Sequence, residues 1–596
     1  MKLGGEKLWH LIYRCVCYCY EAEDLRYELR IEKMILLYKN AGAIDELDNY
    51  RGIFLRHIIL SILQKWLYLQ NAPTLDMNGS ELAFGGRVKR SVQEALLIVK
   101  LVQDHARWTG EPLFIKFMDV QKFFDTMNFR KAMIDAHLSG LQGKDWKVYD
   151  SINKFKSCIP STPLGLGNEI RMEEVFVQGS TDAVLMAWNT MDARNKRVRN
   201  RYDPGFVIEG IDLKGITFID DIIEFLRAQL QVMESLVDDE VFERSNRLCF
   251  KPSKCKILPM NVSADGMKEM FVLNGEFIEV VAEHKYLGTM VGADGRDGDI
   301  EARIKGANSV ANEIVQVCKS AEMSNNRLMY VNLLIESCLG YKVKHGCECW
   351  DDLSDNQVKI IDNLKVKVIK RVMELPNSTP SAAVKYEFGL IDLSLEILME
   401  KVLFAVKVLR SDDARKAKQL LEIMLRKKVP GFCTQVLEIC QNVFEIELYE
   451  LVKMDGDLRE ILKDKLVKIQ ETRLRKQMIL QSKTDRLLMN NFAFNGRRQQ
   501  YLDLPFCHAR IIFMVRCRML LTKDNFPGRW NGLLCNVCGA PDTDEHLFIC
   551  PGFMDLMGDS VTYEQFFSAD QDAEVLVCAA EVVGKVNERL KVIQEL

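Results

Sequence analysis

The stretch Gly215-Ile216-Thr217-Phe218-Ile219-Asp220-Asp221-Ile222-Ile223-Glu224-Phe225 restricts the fold more than any other part of the chain. Two adjacent carboxylates sit between short runs of β-branched and aromatic residues, the pattern of a tight hairpin with buried strands. A solvated acidic turn has no need of Ile-Thr-Phe-Ile before it and Ile-Ile after it. Strand side chains alternate faces, so neighbouring aspartates at a hairpin tip point differently: one meets a metal squarely and the other serves from the side. Such a site calls for a third carboxylate. Leu113-Phe114-Ile115-Lys116-Phe117-Met118-Asp119 supplies it, an apolar strand that delivers Asp119 at its end before a turn and a helix beginning near Asn128. Carboxylates that hold two divalent ions about 4 Å apart suit magnesium and phosphoryl transfer. Asp119, Asp220 and Asp221 are therefore the candidate catalytic residues and magnesium ligands.

With 596 residues, 48% of them hydrophobic, the chain can bury several cores. Its 18 cysteines are scattered without the spacing of a secreted disulfide framework, which points to reduced thiols and an intracellular setting, nuclear or cytoplasmic. The most apolar early segment, Leu8 to Tyr20, is broken by His10 and Arg14 and is too short to span a bilayer, so no membrane partner is expected. A net charge of -4 neither demands nor forbids a nucleic-acid partner, since a basic groove can coexist with an acidic remainder.

Further candidates appear in order along the chain. Met34 to Lys39 reads as a short strand ending in a lysine, followed by a loop to Asn49-Tyr50-Arg51-Gly52-Ile53; Lys39 and Arg51 together make a phosphate clamp or are plain surface cations. An amphipathic helix over about Arg56 to Gln70 presents Ile58, Ile59, Ile62, Leu63, Trp66 and Leu67 as its packing face. In Phe84-Gly85-Gly86-Arg87-Val88-Lys89-Arg90-Ser91, glycines permit close backbone approach beside three cations, which suits a loop lying on a phosphate. Val175 to Ser180 reads as a strand ending in Gln178-Gly179 before an apolar helix from Thr181 to Met191.

In this order the segments resemble the reverse transcriptases of retrotransposons that lack long terminal repeats. Asn49 to Ile53 is similar to the family's fingers motif, Phe84 to Ser91 to its glycine-arginine motif, Asp119 to Asp125 to its first catalytic motif, and Phe218 to Asp221 to its tandem-aspartate motif. Pro252 to Lys256 resembles the palm lysine segment, Tyr286-Leu287-Gly288 the hairpin that grips the primer, and His345 to Trp350 a thumb motif. The resemblance implies RNA-directed DNA synthesis on an RNA template from a DNA primer or target DNA, with deoxynucleoside triphosphates as substrates and two magnesium ions. It implies nucleotide-binding roles for Lys39, Arg51, Phe124, Gln178, Gly179 and Lys254, with Phe124 excluding a ribose 2′-hydroxyl and Lys254 assisting the leaving group. It also implies an α+β right-hand polymerase: fingers and palm over 1–292, a helical thumb over 293–410, a helical basic connector over 411–510 and a zinc module over 511–596.

Some features depart from the family pattern. Phe123 stands where a small residue is usual and is expected to crowd the nucleotide pocket, Thr181 and Gly52 stand where proline is common, and no endonuclease region is expected within the chain. These departures and the acidic balance support the alternative of a catalytically silent nucleic-acid-binding descendant. Beyond Arg410 the chain is helix-rich, with Lys463, Lys465, Lys468, Arg473, Arg475 and Lys476 forming either a nucleic-acid track or a solvated face. Cys535-x2-Cys538-x7-His546-x3-Cys550 then offers three thiolates and an imidazole, the donor set of a closed tetrahedral zinc site.

Overall fold

The structure, a computed structural model, describes residues 5–23, 25–39, 42–162, 165–172, 176–177, 179–262, 270–295, 297–320, 323, 326–481, 484–489, 493–557, 561–567 and 573–595. The chain forms two compact units, one of Met1–Gly298 with Ser411–Thr434 and one of Asp299–Arg410 with Gln435–Leu596.

The first unit is built on a five-stranded sheet in the order Glu279–Val280, Lys256–Met260, Leu113–Asp119, Asp221–Leu226, Gly215–Phe218. Leu113–Asp119 lies at its centre, antiparallel to both neighbours, and is buried from Leu113 to Met118 because both faces are covered. Phe114, Met118, Ile222 and Leu226 point to one face, into a core shared with the helices Phe129–Leu138, Thr181–Arg199 and Gln229–Asn246. Charges are buried on that same face. Lys116 Nζ lies 2.7 Å from Asp239 Oδ2 and from Ser235 Oγ, and 3.4 Å from Glu224 Oε2. Arg194 joins Asp239 at 2.8 Å and also binds Glu224, which takes a further bond from Arg201 at 2.9 Å. Every charge in this cluster has an opposite partner, the condition under which ions are tolerated away from water.

A second sheet pairs Ile31–Tyr38 with Tyr50–Leu55 and with Lys156–Thr162, and Lys156–Thr162 with the short strands Gly165–Leu166 and Ile170–Met172. Behind it Arg56 bridges Glu32 at 3.0 Å and Asp182 at 3.4 Å. The helix expected near Arg56 runs Ile58–Asn78, and its buried face differs from the expected one. Leu60, Leu63, Leu67 and Leu75 are buried, whereas Ile58 is 49% and Trp66 39% exposed. Trp66 sits at the margin of that face, met edge-on by Tyr20 of the helix Gly5–Ala22 at 4.9 Å between ring centroids.

The helix Val92–Thr109 is capped by Ser91, whose Oγ accepts from the Glu94 amide at 3.1 Å. It is covered in turn by Lys416–Arg426, with Arg415 paired to Glu94 at 2.9 Å and the Phe432 amide donating to Asp104 at 2.9 Å. The start of the basic segment after Arg410 thus belongs to the first unit.

Among its described residues the second unit is helical, apart from one isolated bridge between Leu534 and Pro541. Trp350 is fully buried there; its indole donates to Asp299 at 2.7 Å and its carbonyl accepts from Lys401 at 2.6 Å. Leu458–Ile479 buries Leu458, Leu462, Leu466, Gln470, Leu474 and Met478 at every fourth position, which leaves Lys463, Lys468, Arg475 and Lys476 on its exposed side.

Candidate active site

Asp119 and Asp221 face each other directly across the antiparallel ladder, and Asp221 pairs on its other side with Phe218. Side chains in such register share one face with Cβ atoms about 5 Å apart. Their face is opposite the one that carries Lys116 and Glu224. Asp220 sits in the tight turn, so the sequence-predicted triad is brought together at one end of the sheet. The like charges and burial hold the protons on. Asp221 is pushed up to about 7, first by burial and then by Asp220 and Asp119, and Asp220 is raised first by burial, with Asp119 adding to it. Three half-buried carboxylates this close, with the Lys254 ammonium on one of them, make a set that a divalent ion suits.

The tip is strained. Ile219 has φ +60°, an unfavourable conformation for a β-branched residue. It is held by the glycine-arginine segment, which lies along the edge strand: the Phe84 amide donates to the Thr217 carbonyl and the Thr217 amide to the Leu82 carbonyl, both at 2.8 Å. A Cβ on Gly85 would fall 2.6 Å from the Ile219 side chain and 2.7 Å from its backbone nitrogen. Here the expectation for Phe84 to Ser91 needs correction. The close approach permitted by glycine is made to the chain's own hairpin, and Arg87 is spent internally on Asp76 and the Ser80 carbonyl. Nothing in the local sequence distinguishes a loop that clamps a hairpin from one that lies on a phosphate.

Lys254, in the turn Pro252–Lys254, bonds Asp119 Oδ1 at 2.8 Å. The charges of Lys254 and Arg51 both act on Asp220, opposing the upward shift caused by burial. Arg51 pairs with Leu37 across its ladder, so Lys39, two residues on from Leu37, shares that face; both cations are exposed. Gly179 has φ +105°, a conformation natural only to glycine, and the place a Cβ would take is 3.6 Å from the Phe54 carbonyl of the same sheet. Gln178 lies outside the described residues.

Phe123 and Phe124 divide their duties. Phe123, 2% exposed, turns into the core with Phe114 and Met118 and meets the Phe124 ring at 5.8 Å, while Phe124 is only partly buried. The expectation that Phe123 crowds a nucleotide pocket is therefore corrected: its ring is buried in the core, and Phe124 packs only partly against that same core.

Tyr286, expected only as part of a hairpin, closes the sheet face below the aspartates. Leu287 and Gly288, at φ +47° and +80°, turn Glu283–Tyr286 back onto Thr289–Gly292. The Tyr286 ring packs 5.9 Å from Phe117, two residues before Asp119, and its buried hydroxyl has no hydrogen-bond partner among the described residues. The Asp221 charge reaches it and, after burial, raises its phenol further.

In the second unit, the donor atoms of Cys535, Cys538, His546 and Cys550 all lie within 4.8 Å of one another. Cys535 and Cys550 Sγ are 3.9 Å apart, Cys550 and Cys538 Sγ 3.8 Å, and Cys538 Sγ and His546 Nε2 3.2 Å. A tetrahedron of thiolates about 2.3 Å from zinc has edges of about 3.8 Å, so the donor set fits that ion. Local structure sets it: Gly539 at φ +75° returns its amide to the Cys535 carbonyl at 3.0 Å, the Val537 amide points at Cys535 Sγ at 3.4 Å, and Thr543 caps the helix Asp544–Ile549 that carries His546.

The first unit thus sets an acid of its central strand against two acids at the neighbouring hairpin. Residues 38–291, all within the first unit, match the family model of reverse transcriptase (RNA-dependent DNA polymerase), so the chain carries a reverse transcriptase domain. No curated protein matches it in sequence. Among solved structures it is similar to the apo telomerase of Candida tropicalis truncated from its C-terminal domain, at 11% identity over 48% of this chain and 59% of that one, TM-score 0.30. It is also similar to the telomerase of Candida albicans in complex with a TWJ fragment of telomeric RNA, at 10% identity over 75% and 70%, TM-score 0.35. A third is the apo telomerase of Candida tropicalis, at 10% identity over 81% and 73%, TM-score 0.32. The chain thus spans 59% of the first of these proteins. No helix among the described residues is long and apolar enough to cross a membrane.

Proposed function

We propose that this protein extends a DNA primer or nicked target DNA along an RNA template by two-metal phosphoryl transfer, and that it descends from the retrotransposons without long terminal repeats. The observation that carries the reading is the direct pairing of Asp119 with Asp221, with Asp220 beside them in the turn, inside a segment that matches the reverse transcriptase family. The ordered motifs and the Cys535-Cys538-His546-Cys550 cluster near the end of the chain support the retrotransposon lineage. In this reading the fingers and palm occupy 1–292, the thumb 293–410, a connector 411–510 whose first part, to Thr434, packs with the first unit, and a zinc module 511–596.

Bound at Asp119, Asp220 and Asp221, two magnesium ions supply the positive charge that lowers the pKa of the attacking 3′-hydroxyl and stabilises the leaving oxygen. Asp119 and Asp221 fix one edge of the site from rigid paired strands, and Asp220 completes it from the turn. Lys254, bonded to Asp119 in the free protein, gives a proton to departing pyrophosphate in this reading. Arg51 and Lys39, on one face of the neighbouring ladder, take the triphosphate, while Gln178 and Gly179 border the nucleotide and Phe124 stands beside the 2′-position of the incoming sugar.

Primer extension on an RNA template with magnesium tests the assignment. Wild type extends the primer, Asp220→Ala does not, and Phe124→Ala still makes DNA while accepting more ribonucleotides. Wild-type protein that binds the duplex in a salt-dependent way yet extends no primer would establish the catalytically silent alternative. Phe123 gives that alternative less support than its bulk suggests, since its ring is buried in the core beside Phe124.

A further inference from the structure

Near the end of the chain the second unit carries an exposed apolar face. Leu533, Leu534, Val537, Ile549 and Met554 each leave between 43% and 73% of their surface open to solvent. All five are within four residues of Cys535, Cys538, His546 or Cys550, whose donor atoms lie within 4.8 Å of one another, so they surround one small module. Residues 530–541 and 546–554 contain no Asp, Glu, Lys or Arg, in a chain that is 28% charged. Single exposed apolar side chains are ordinary on a protein surface, whereas an uncharged group of them marks a contact.

The two leucines are held outward. Gly532 turns the chain at φ +75°, the Asp542 amide donates to the Leu533 carbonyl at 3.0 Å, and the Cys535 amide donates to the Ala540 carbonyl at 2.7 Å. The buried Lys523 ammonium donates to the Asn531 carbonyl at 3.1 Å and to Asn536 Oδ1 at 2.7 Å, which ties the loop from beneath. A Cβ on Gly552 would collide with Val537, so this glycine lets the second uncharged stretch lie against the first. Exposed charges return where the stretches end, at Arg529, Glu545 and Asp555, the last paired with Arg589 at 2.8 Å. An apolar centre bordered by charges of both signs is the anatomy of a protein interface. Nucleic acid is poorly served, because the face offers no cation to a phosphate and none of its five exposed side chains is an aromatic ring for a base.

Size and charge favour a second copy of the chain as the occupant. Five side chains that each open about 100 Å² amount to about 500 Å², close to the apolar share, about 65%, of the roughly 800 Å² that each partner of a standard homodimer buries. In a two-fold contact the same patch meets itself, and a face without charge does so without setting like charges opposite one another. We propose that this face is a two-fold contact between two copies of the chain, with Leu533, Leu534, Val537, Ile549 and Met554 of each packed on the same residues of the other. The contact depends neither on polymerase activity nor on the ion that the cysteine cluster holds.

Sedimentation equilibrium of the full-length protein, freed of nucleic acid, tests it. Wild type is expected as a dimer at tens of micromolar, since interfaces of this size dissociate at about 1 µM or below. Leu533→Glu combined with Leu534→Glu should raise the dissociation constant by about a hundredfold or more, because an unpaired carboxylate in an apolar contact is costly. Leu533→Lys combined with Leu534→Lys should do the same, and both double variants, altered at exposed positions, should keep the wild-type melting transition. Mixed in equal amounts the two should dimerise again, as a patch that meets itself requires. With no substitution at all, hydrogen exchange over 530–541 and 546–554 should slow as the wild-type concentration rises. A wild type that stays monomeric at tens of micromolar, or exchange there that ignores concentration, would overturn the proposal. Dimers that persist in both variants place the contact elsewhere, and a mixture that stays monomeric shows that the patch meets a different surface; either result overturns it. So does a monomeric wild type whose capture of RNA or DNA is weakened by the substitutions, which would make the face a nucleic-acid platform.

Discussion

Replacing Asp221 with asparagine should stabilise the metal-free protein. Asp221 is held up at about 7 by burial and by the neighbouring Asp220 and Asp119, against about 3.9 for an unperturbed aspartate. For an acid raised in the fold, ionisation costs stability: the unfolded chain loses its proton first, and the folded one resists. The cost therefore begins as pH rises past about 4, grows by about 1.4 kcal/mol per pH unit, and is complete above about 7. That span sets an upper bound of about 4 kcal/mol at pH 8, and solvent screening at a partly exposed tip brings the expected gain to about 2 kcal/mol. The substituted amide keeps the shape of the carboxyl group and never ionises. In thermal unfolding with EDTA at pH 8, Asp221→Asn should melt several degrees above wild type. The advantage should shrink steadily as pH falls from 7 to 4 and disappear below that. Magnesium should raise wild type more than the variant, since the ion binds the charge that the variant lacks. A variant that melts at or below wild type at pH 8 in EDTA would refute the idea that these carboxylates are held together against their own repulsion.

Lys116→Met removes the cation that Asp239, Ser235 and Glu224 share; with Arg194 and Arg201 still in place it should destabilise the first unit by about 3 kcal/mol, read as a lower urea midpoint, and an unchanged midpoint would show the network carries no stability. Phe123→Ala should cost about 3 to 5 kcal/mol as a core truncation and should not speed nucleotide incorporation; faster incorporation at unchanged stability would place the ring in the pocket after all. Chelation should release about one zinc per chain and unfold the region around Cys535 to Cys550 while the first unit keeps its melting transition, and metal analysis that finds no zinc, with Cys535 and Cys550 freely alkylated, would remove the zinc assignment.

The central hairpin was legible because apolar runs flanking two acids leave few alternatives, and Asp119 because an apolar strand ended on it. Cys535, Cys538, His546 and Cys550 were equally plain, since the spacing is itself the site. What escaped was anything decided by which way a side chain turns after the strand ends. Phe123 and Phe124 are adjacent and chemically identical, and only the short helix Phe123–Thr126 decides which of them enters the core. The helix Ile58–Asn78 carries apolar residues on more than one face, so periodicity could not choose between Ile58 with Trp66 and Leu60 with Leu63 and Leu67. The buried ions were hidden for another reason: Lys116, Arg194, Glu224 and Asp239 are scattered over more than a hundred positions, and no local pattern announces that they meet.

Those buried ions and the Phe84 to Ser91 glycine loop act on the same problem. The hairpin tip combines a β-branched residue at φ +60° with three mutually repelling acids, and a conformation that unfavourable persists only when its surroundings leave no other. Its edge strand is tied by the Leu82 to Phe84 backbone on one side, and Gly85 lets that loop close onto Ile219. Its inner strand is anchored from the opposite face through Glu224, which Lys116, Arg194 and Arg201 hold at once. Alternation along that strand puts Glu224 beneath the sheet and Asp221 above it, so the ions fix the backbone on which Asp221 stands without lending it any charge. An apolar core beneath the strand would give as much stability, but not a bond aimed at one carboxylate three residues from the site, and that directional hold on the aspartate pair is what the buried charges contribute.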